Sequence, residues 1–157
     1  MARELKNWKV FLVSLAIVYG VAFIGSLFTS SAVKSDWYQQ IKPAITPQDY
    51  VFPIVWNILF LLIGLSLAFS WIHSKGFFEK RQVVLAFGVN LVLNVLWSVL
   101  YFGIGSPALA FFDIILIIIS IMYLILVIWE IDRKAALMLF PYLLWVDFAA
   151  ILNFLSI

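Results

Sequence analysis

The sequence predicts an all-α integral membrane protein: a five transmembrane helix bundle with an ordered first loop over an internal pocket. Three observations predict it. Of 157 residues, 66% are hydrophobic and 11% charged, against about 45–50% and about 25% in ordinary soluble domains. A soluble chain of this size has no interior large enough to hold so much Leu, Ile, Val and Phe. The charges gather in short clusters, and the neutral runs between them reach the ~20 residues a helix needs to cross ~30 Å of hydrocarbon. Lys and Arg are also divided unequally between alternate connections, as they are in membrane proteins.

The first span, 10–28, follows Arg3, Lys6 and Lys9. A basic start, an apolar run and Ser30-Ser31-Ala32 also resemble a cleavable secretory signal. The length of the run and the four that follow favour a retained helix instead. The second span covers 52–71. The third, 82–102, and the fourth, 107–129, would merge into one uncharged stretch but for Gly103-Ile104-Gly105-Ser106-Pro107. Two glycines and a proline predict a tight hairpin, with proline in the first turn of the next helix. The fifth span is 135–155, and residues 1–157 form a single membrane domain.

Eight of the ten Lys and Arg fall on the side of the N-terminus, leaving only Lys34 and Lys42 opposite. This predicts a cytoplasmic N-terminus and an external C-terminus in a bacterial cell membrane. Trp8, Trp37, Tyr38, Tyr50, Trp71 and Trp129 fall near span ends, where amphipathic rings settle at the lipid–water boundary. The one long connection, 29–51, holds Trp37, Tyr38, Pro43 and Pro47, which predicts an ordered lid.

Several chemistries are excluded. The chain has no cysteine and one histidine, so no metal site is expected. A net charge of +2 gives no nucleic-acid footprint, and no phosphate-binding loop or nucleophile elbow is present. His73, beside Ser74 and Lys75, reads as a solvated interfacial residue.

What polarity the spans carry is concentrated. Asn90, Asn94, Trp97, Ser98 and Tyr101 share one face of the third span. Amides there point into the bundle, where they either cross-bond neighbouring helices or meet a ligand. Trp56, Phe60 and Gly64 share a face of the second span, and Trp145, Phe148, Ala149 and Leu152 one of the fifth. Such stripes are commonly plain packing, but small residues beside large rings leave room for a planar apolar ligand. Asp113 and Asp147 are the carboxylates inside spans, functional candidates by default, with hydrogen bonding to Ser, Asn or water as the simpler account. Ala16 with Gly20, and Gly64 with Ala68, have the small-xxx-small spacing of close helix contacts.

Four blocks carry a family resemblance: Trp37-Tyr38-Gln39-Gln40-Ile41-Lys42-Pro43, Phe52-Pro53-Ile54-Val55-Trp56 through Phe60, Asn94-Val95-Leu96-Trp97-Ser98 through Phe102, and Pro141-Tyr142-Leu143-Leu144-Trp145 through Asn153. In order and across nearly the whole chain, they resemble the translocator protein family, also called tryptophan-rich sensory proteins or peripheral benzodiazepine receptors. The resemblance implies a five-helix homodimer with a pocket for porphyrins such as protoporphyrin IX and haem, for benzodiazepine-site drugs and, in mitochondrial members, cholesterol. Matched by motif, the pocket residues are Tyr38, Pro47, Trp56, Phe60, Asn94, Trp97, Trp145 and Ala149, with Tyr50 and Ile114 placed less directly. It also implies a membrane receptor or sensor in which porphyrin or haem is a ligand and no cofactor is required. Rings would stack on Trp56, Trp97 and Trp145 while Asn94 supplies a directed hydrogen bond. The alternatives are a light-dependent porphyrin-degrading enzyme using Trp56 and Trp145, or a transporter of porphyrins or small amphipathic molecules.

The chain departs from the family at Gln48, where a second proline is usual, and at Phe60, where tyrosine is usual. Its end, Phe154-Leu155-Ser156-Ile157, lacks the Tyr and the Lys or Arg of the cholesterol consensus, itself a weak pattern. Asp147 stands at a site usually small or neutral.

Overall fold

A computed structural model describes residues 2–157. Its elements are α1 (Ala2–Ala32), α2 (Asp36–Ile41), α3 (Val51–His73), α4 (Phe77–Ser98) with a π-helical turn (Val99–Gly103), α5 (Pro107–Ile131), α6 (Arg133–Leu137) and α7 (Phe140–Leu155). Five segments are long and apolar enough to cross a membrane: Asn7–Ala32, Val51–His73, Phe77–Gly103, Pro107–Ile131 and Arg133–Leu155. Lipid solvates their outer faces, which is why Phe23, Leu27, Val92, Phe112, Leu126 and Leu144 stand exposed.

The spans run past the expected bounds at most ends, the first from Asn7 to Ala32 rather than 10–28, and two differences have a clear cause. The third span begins at Phe77 rather than 82, with Glu79, Lys80 and Arg81 inside its first turns, because a helix does not stop where charge begins. The fifth is broken into α6 and α7. Pro141 has no N–H to offer the carbonyl of Leu137 and crowds it, so the helix cannot run through.

Local chemistry sets each junction. Gly105 adopts a left-handed φ of 71°, a conformation glycine takes without a Cβ clash. Ser106 then caps α5 by accepting from the Leu109 N–H, with Pro107 in the first turn. Ser35 caps α2 through the Tyr38 N–H. Asp132 caps α6, accepting from Lys134 and Ala135, and also pairs with His73 Nδ1. His73 is therefore exposed but tethered, not simply solvated.

α1 packs on α3 and α4, α4 on α5, and α5 on α7. Gly64 admits α1: a Cβ there would lie 2.6 Å from Leu15 Cδ2. Ala68 is fully buried beside it, whereas Ala16 and Gly20 face outward. On the adjacent strip of α3, Ser66 donates to the Ala135 carbonyl at 2.9 Å, and Ser70 and Ser74 donate back along their own helix, so hydroxyls buried against α6 leave no donor unmet.

Burial pushes the Asp132 carboxyl up, but the N–H of Ala135, the His73 ring and the N–H of Lys134 outweigh it and hold it below the usual carboxylate range. The stabilisation is thus present above the ordinary pKa of ~4 and lost as pH falls through the lower folded value. Asp132→Ala should cost about 1 kcal/mol at neutral pH. In thermal melts in detergent, its deficit against the parent should vanish in acid.

Candidate ligand-binding site

The helices enclose a cavity of about 680 Å³ beneath the α2 segment, within the range of small-molecule sites. One wall is α3, where Trp56 and Phe60 stack at 5.2 Å with 28° between planes. Another is α4, where Trp97 and Tyr101 stack at 5.0 Å and 23°. Ile114 and Ile117 of α5 and Val146, Ala149 and Leu152 of α7 complete the apolar lining.

The tryptophan on α4 is held from behind. Trp97 Nε1 donates to Asn153 Oδ1 at 2.9 Å, and Asn153 Nδ2 donates to the Pro107 carbonyl at 2.8 Å. Beside it runs a directed chain across three helices. Asn94 Nδ2 donates to the Asn90 carbonyl and the Tyr142 hydroxyl, Tyr142 to Asn90 Oδ1, Asn90 Nδ2 to Ser120, and Ser120 to the Ile117 carbonyl. Asn90 is therefore interhelical glue. Asn94 lines the cavity, but both its amide hydrogens are committed, so what it offers an occupant is Oδ1, an acceptor.

The lid is aromatic. Tyr38 packs on Phe102 at 5.7 Å and Tyr101 at 6.5 Å, and Trp37 packs on Tyr101 at 6.0 Å. Burial, with Tyr101 and Asp49 nearby, pushes the Tyr38 phenol up to about 12, leaving it a neutral donor. Lys42 pairs with Asp49 and ties the end of α2 to the residues just ahead of α3. Between α1 and α3 the lining includes the exposed Phe23, Ser26, Pro53 and Asn57, so the cavity is continuous there with the lipid-facing surface. The Tyr19 hydroxyl bridges the two helices, donating to the Asn57 carbonyl at 3.1 Å.

Residues 13–156 match the pattern of the TspO/MBR family. The chain is also 39% identical over 142 residues to the tryptophan-rich protein TspO of Archaeoglobus fulgidus, covering 90% of each. It belongs to the TspO/MBR family. The human translocator protein is 30% identical over 134 residues, covering 84% of this chain and 79% of that one. The tryptophan-rich sensory protein of Cereibacter sphaeroides is 27% identical over 150 residues, covering 94% and 89%.

Of the pocket residues that the TspO/MBR motifs point to, Tyr38, Trp56, Phe60, Asn94, Trp97, Ile114 and Ala149 line the cavity. Pro47, Tyr50 and Trp145 do not. Pro47 is half-buried in the loop between two lining residues, Thr46 and Asp49; Tyr50 is exposed ahead of α3. Trp145 packs between Phe52 and Phe148, with its Nε1 buried and unpartnered among the described residues. The contribution of α1 was not anticipated. Ala22, Gly25, Ser26 and Thr29 line the cavity, and their only signal in sequence is the clustering of small residues on one face.

Asp113 is 3% exposed, and neither carboxyl oxygen has a hydrogen-bond partner among the described residues; the expected Ser or Asn partner is missing. An orphaned buried polar group is destabilising, so Asp113→Leu should raise stability by about 1–3 kcal/mol. By the same principle Tyr142→Phe, which strands an Asn94 N–H and Asn90 Oδ1, should lower it by about 1–3 kcal/mol. Thermal unfolding in one detergent checks both signs.

Proposed function

We propose that this protein is a membrane receptor or sensor that binds tetrapyrroles such as protoporphyrin IX or haem, and benzodiazepine-site-type hydrophobic ligands, in the cavity beneath α2. The observation that carries this reading is the pair of stacked aromatic couples, Trp56 with Phe60 and Trp97 with Tyr101, in the lining of one apolar chamber. A flat macrocycle offers π faces to both, and offset stacking adds attraction beyond apolar burial. Pyrrole N–H groups or a protonated propionic acid suit the free Oδ1 of Asn94 and the lid hydroxyl of Tyr38. The names of its relatives, sensory protein and translocator protein, agree with recognition of a small molecule. The receptor reading is preferred to light-driven degradation because only Trp56 of the pair Trp56 and Trp145 lines the cavity.

The same reading takes the chain to be a homodimer in a bacterial cell membrane, as the family resemblance implies, and the distribution of Lys and Arg favours a cytoplasmic N-terminus with the lid outside.

Protoporphyrin IX should quench the tryptophan fluorescence of the detergent-solubilised protein saturably. Trp97→Leu and Trp56→Leu should each weaken binding by about 3- to 10-fold, and Trp145→Phe should leave it near the parent value. Equal affinities in all four proteins would refute the assignment.

A further inference from the structure

The lid carries donors that aromatic stacking leaves unused. Ser35 starts α2, and helical spacing puts Tyr38 and Lys42 on one face, with the Lys42 ammonium 5.9 Å from the centre of the Tyr38 ring. Pro43 then turns the chain, its carbonyl accepting from the Thr46 N–H at 3.0 Å. Tyr38, Thr46 and Asp49 all line the chamber that holds the two stacked couples. Thr46 Oγ1 is buried there with no hydrogen-bond partner among the described residues. A hydroxyl in that state is destabilising, and a bound acceptor removes the penalty. The Tyr38 hydroxyl, kept protonated by burial, is a second donor.

The third donor is Lys42, joined to the lining through Asp49. Of its three N–H groups one goes to that carboxylate. The two partners are unequally hydrated: the Lys42 side chain is 20% exposed and that of Asp49 66%. Water can therefore take over the acid, whereas the ammonium is largely withdrawn from water and depends on an anion for its stability. Two hydroxyl donors and a poorly hydrated ammonium suit the oxygens of an anion and not a cation. A carboxylate, with two oxygens and no hydrogen to give, accepts from all three.

We infer that Lys42, Thr46 and Tyr38 form a carboxylate-binding subsite at the lid end of the cavity, so that the occupant is an amphipathic acid with its flat body against the aromatic couples and its ionised end under α2. On binding, Lys42 exchanges Asp49 for the carboxylate of the ligand. This rests on the tetrapyrrole reading above and narrows it to acidic members of that class. It also leaves Asn94 Oδ1, an acceptor, to the pyrrole N–H groups.

The test compares protoporphyrin IX with its dimethyl ester, which has the same π faces and no ionisable end. Each is titrated against the full-length protein in one detergent at mildly alkaline pH, and tryptophan quenching is followed. The parent should bind the acid about 10-fold more tightly than the ester, the worth of a hydrogen bond to a charged group. Lys42→Met and Thr46→Val should each shrink that preference to below about 3-fold, and Lys42→Arg should retain it. Asp49→Asn, which releases Lys42, should widen it. Helical dichroism matching the parent shows that each variant is folded. If the parent binds acid and ester alike, or if Lys42→Met and Thr46→Val keep its preference, the subsite is wrong and the reading of the cavity stands. If neither porphyrin quenches saturably, both are wrong.

Discussion

Inside a bilayer no water is available to a stray donor or acceptor, and the structure is organised around that scarcity. The chain from Asn94 through Tyr142 and Asn90 to Ser120 ties α4, α7 and α5 together by directed hydrogen bonds. Trp97 and Asn153 do the same nearer the lid, reaching the first turn of α5. Apolar contacts alone distinguish weakly between one helix rotation and another in lipid, because acyl chains are as apolar as leucine. These directed bonds select the rotation, and the rotation decides which rings face the cavity.

The cavity follows from what those bonds hold apart. Trp97 is fixed at its nitrogen while its ring packs on Tyr101, and Trp56 lies on Phe60 across the space. On α1 small and hydroxylic residues provide room rather than contact. The result is a rigid pair of aromatic couples around a volume that side chains do not fill, which is the preorganisation a flat ligand requires. Asp113 stands outside this pattern, buried and without a hydrogen-bond partner among the described residues, and its presence at that position has no structural explanation in the contacts around it.

Much of this was legible in the sequence. Spans were visible because crossing hydrocarbon demands length and neutrality, both properties of a string of residues. The hairpin at Gly105 was visible because glycine and proline act on their own backbone. The break at Met138 and Leu139 has a local cause in Pro141, but the unbroken apolar run across 135–155 reads as one helix. What the string could not convey is rotation about a helix axis relative to neighbours. Trp145 and Trp97 carry equal motif weight, yet one lines the cavity and the other packs against Phe52. The wall from α1 was hidden for a related reason: alanine, glycine and serine announce themselves by what they leave out. Asn94 stands out in the sequence as an amide inside a span, but what it can offer depends on where Tyr142 places a hydroxyl, 48 positions away in the chain.

The π-helical turn at Val99–Gly103 has a bearing on how this architecture can vary. Its wider loop, closed by the Ile104 N–H on the Val99 carbonyl at 2.7 Å, accommodates one residue more than an ordinary helical turn would. Excising a single residue there would yield a more regular helix, yet swing all that follows by about 100°. Gly105 would leave the indole of Trp37 and Pro107 would leave Asn153, so lid and bundle would lose their common reference. Insertions and deletions in this lineage are therefore expected to spare that irregular turn and accumulate in the water-exposed connections.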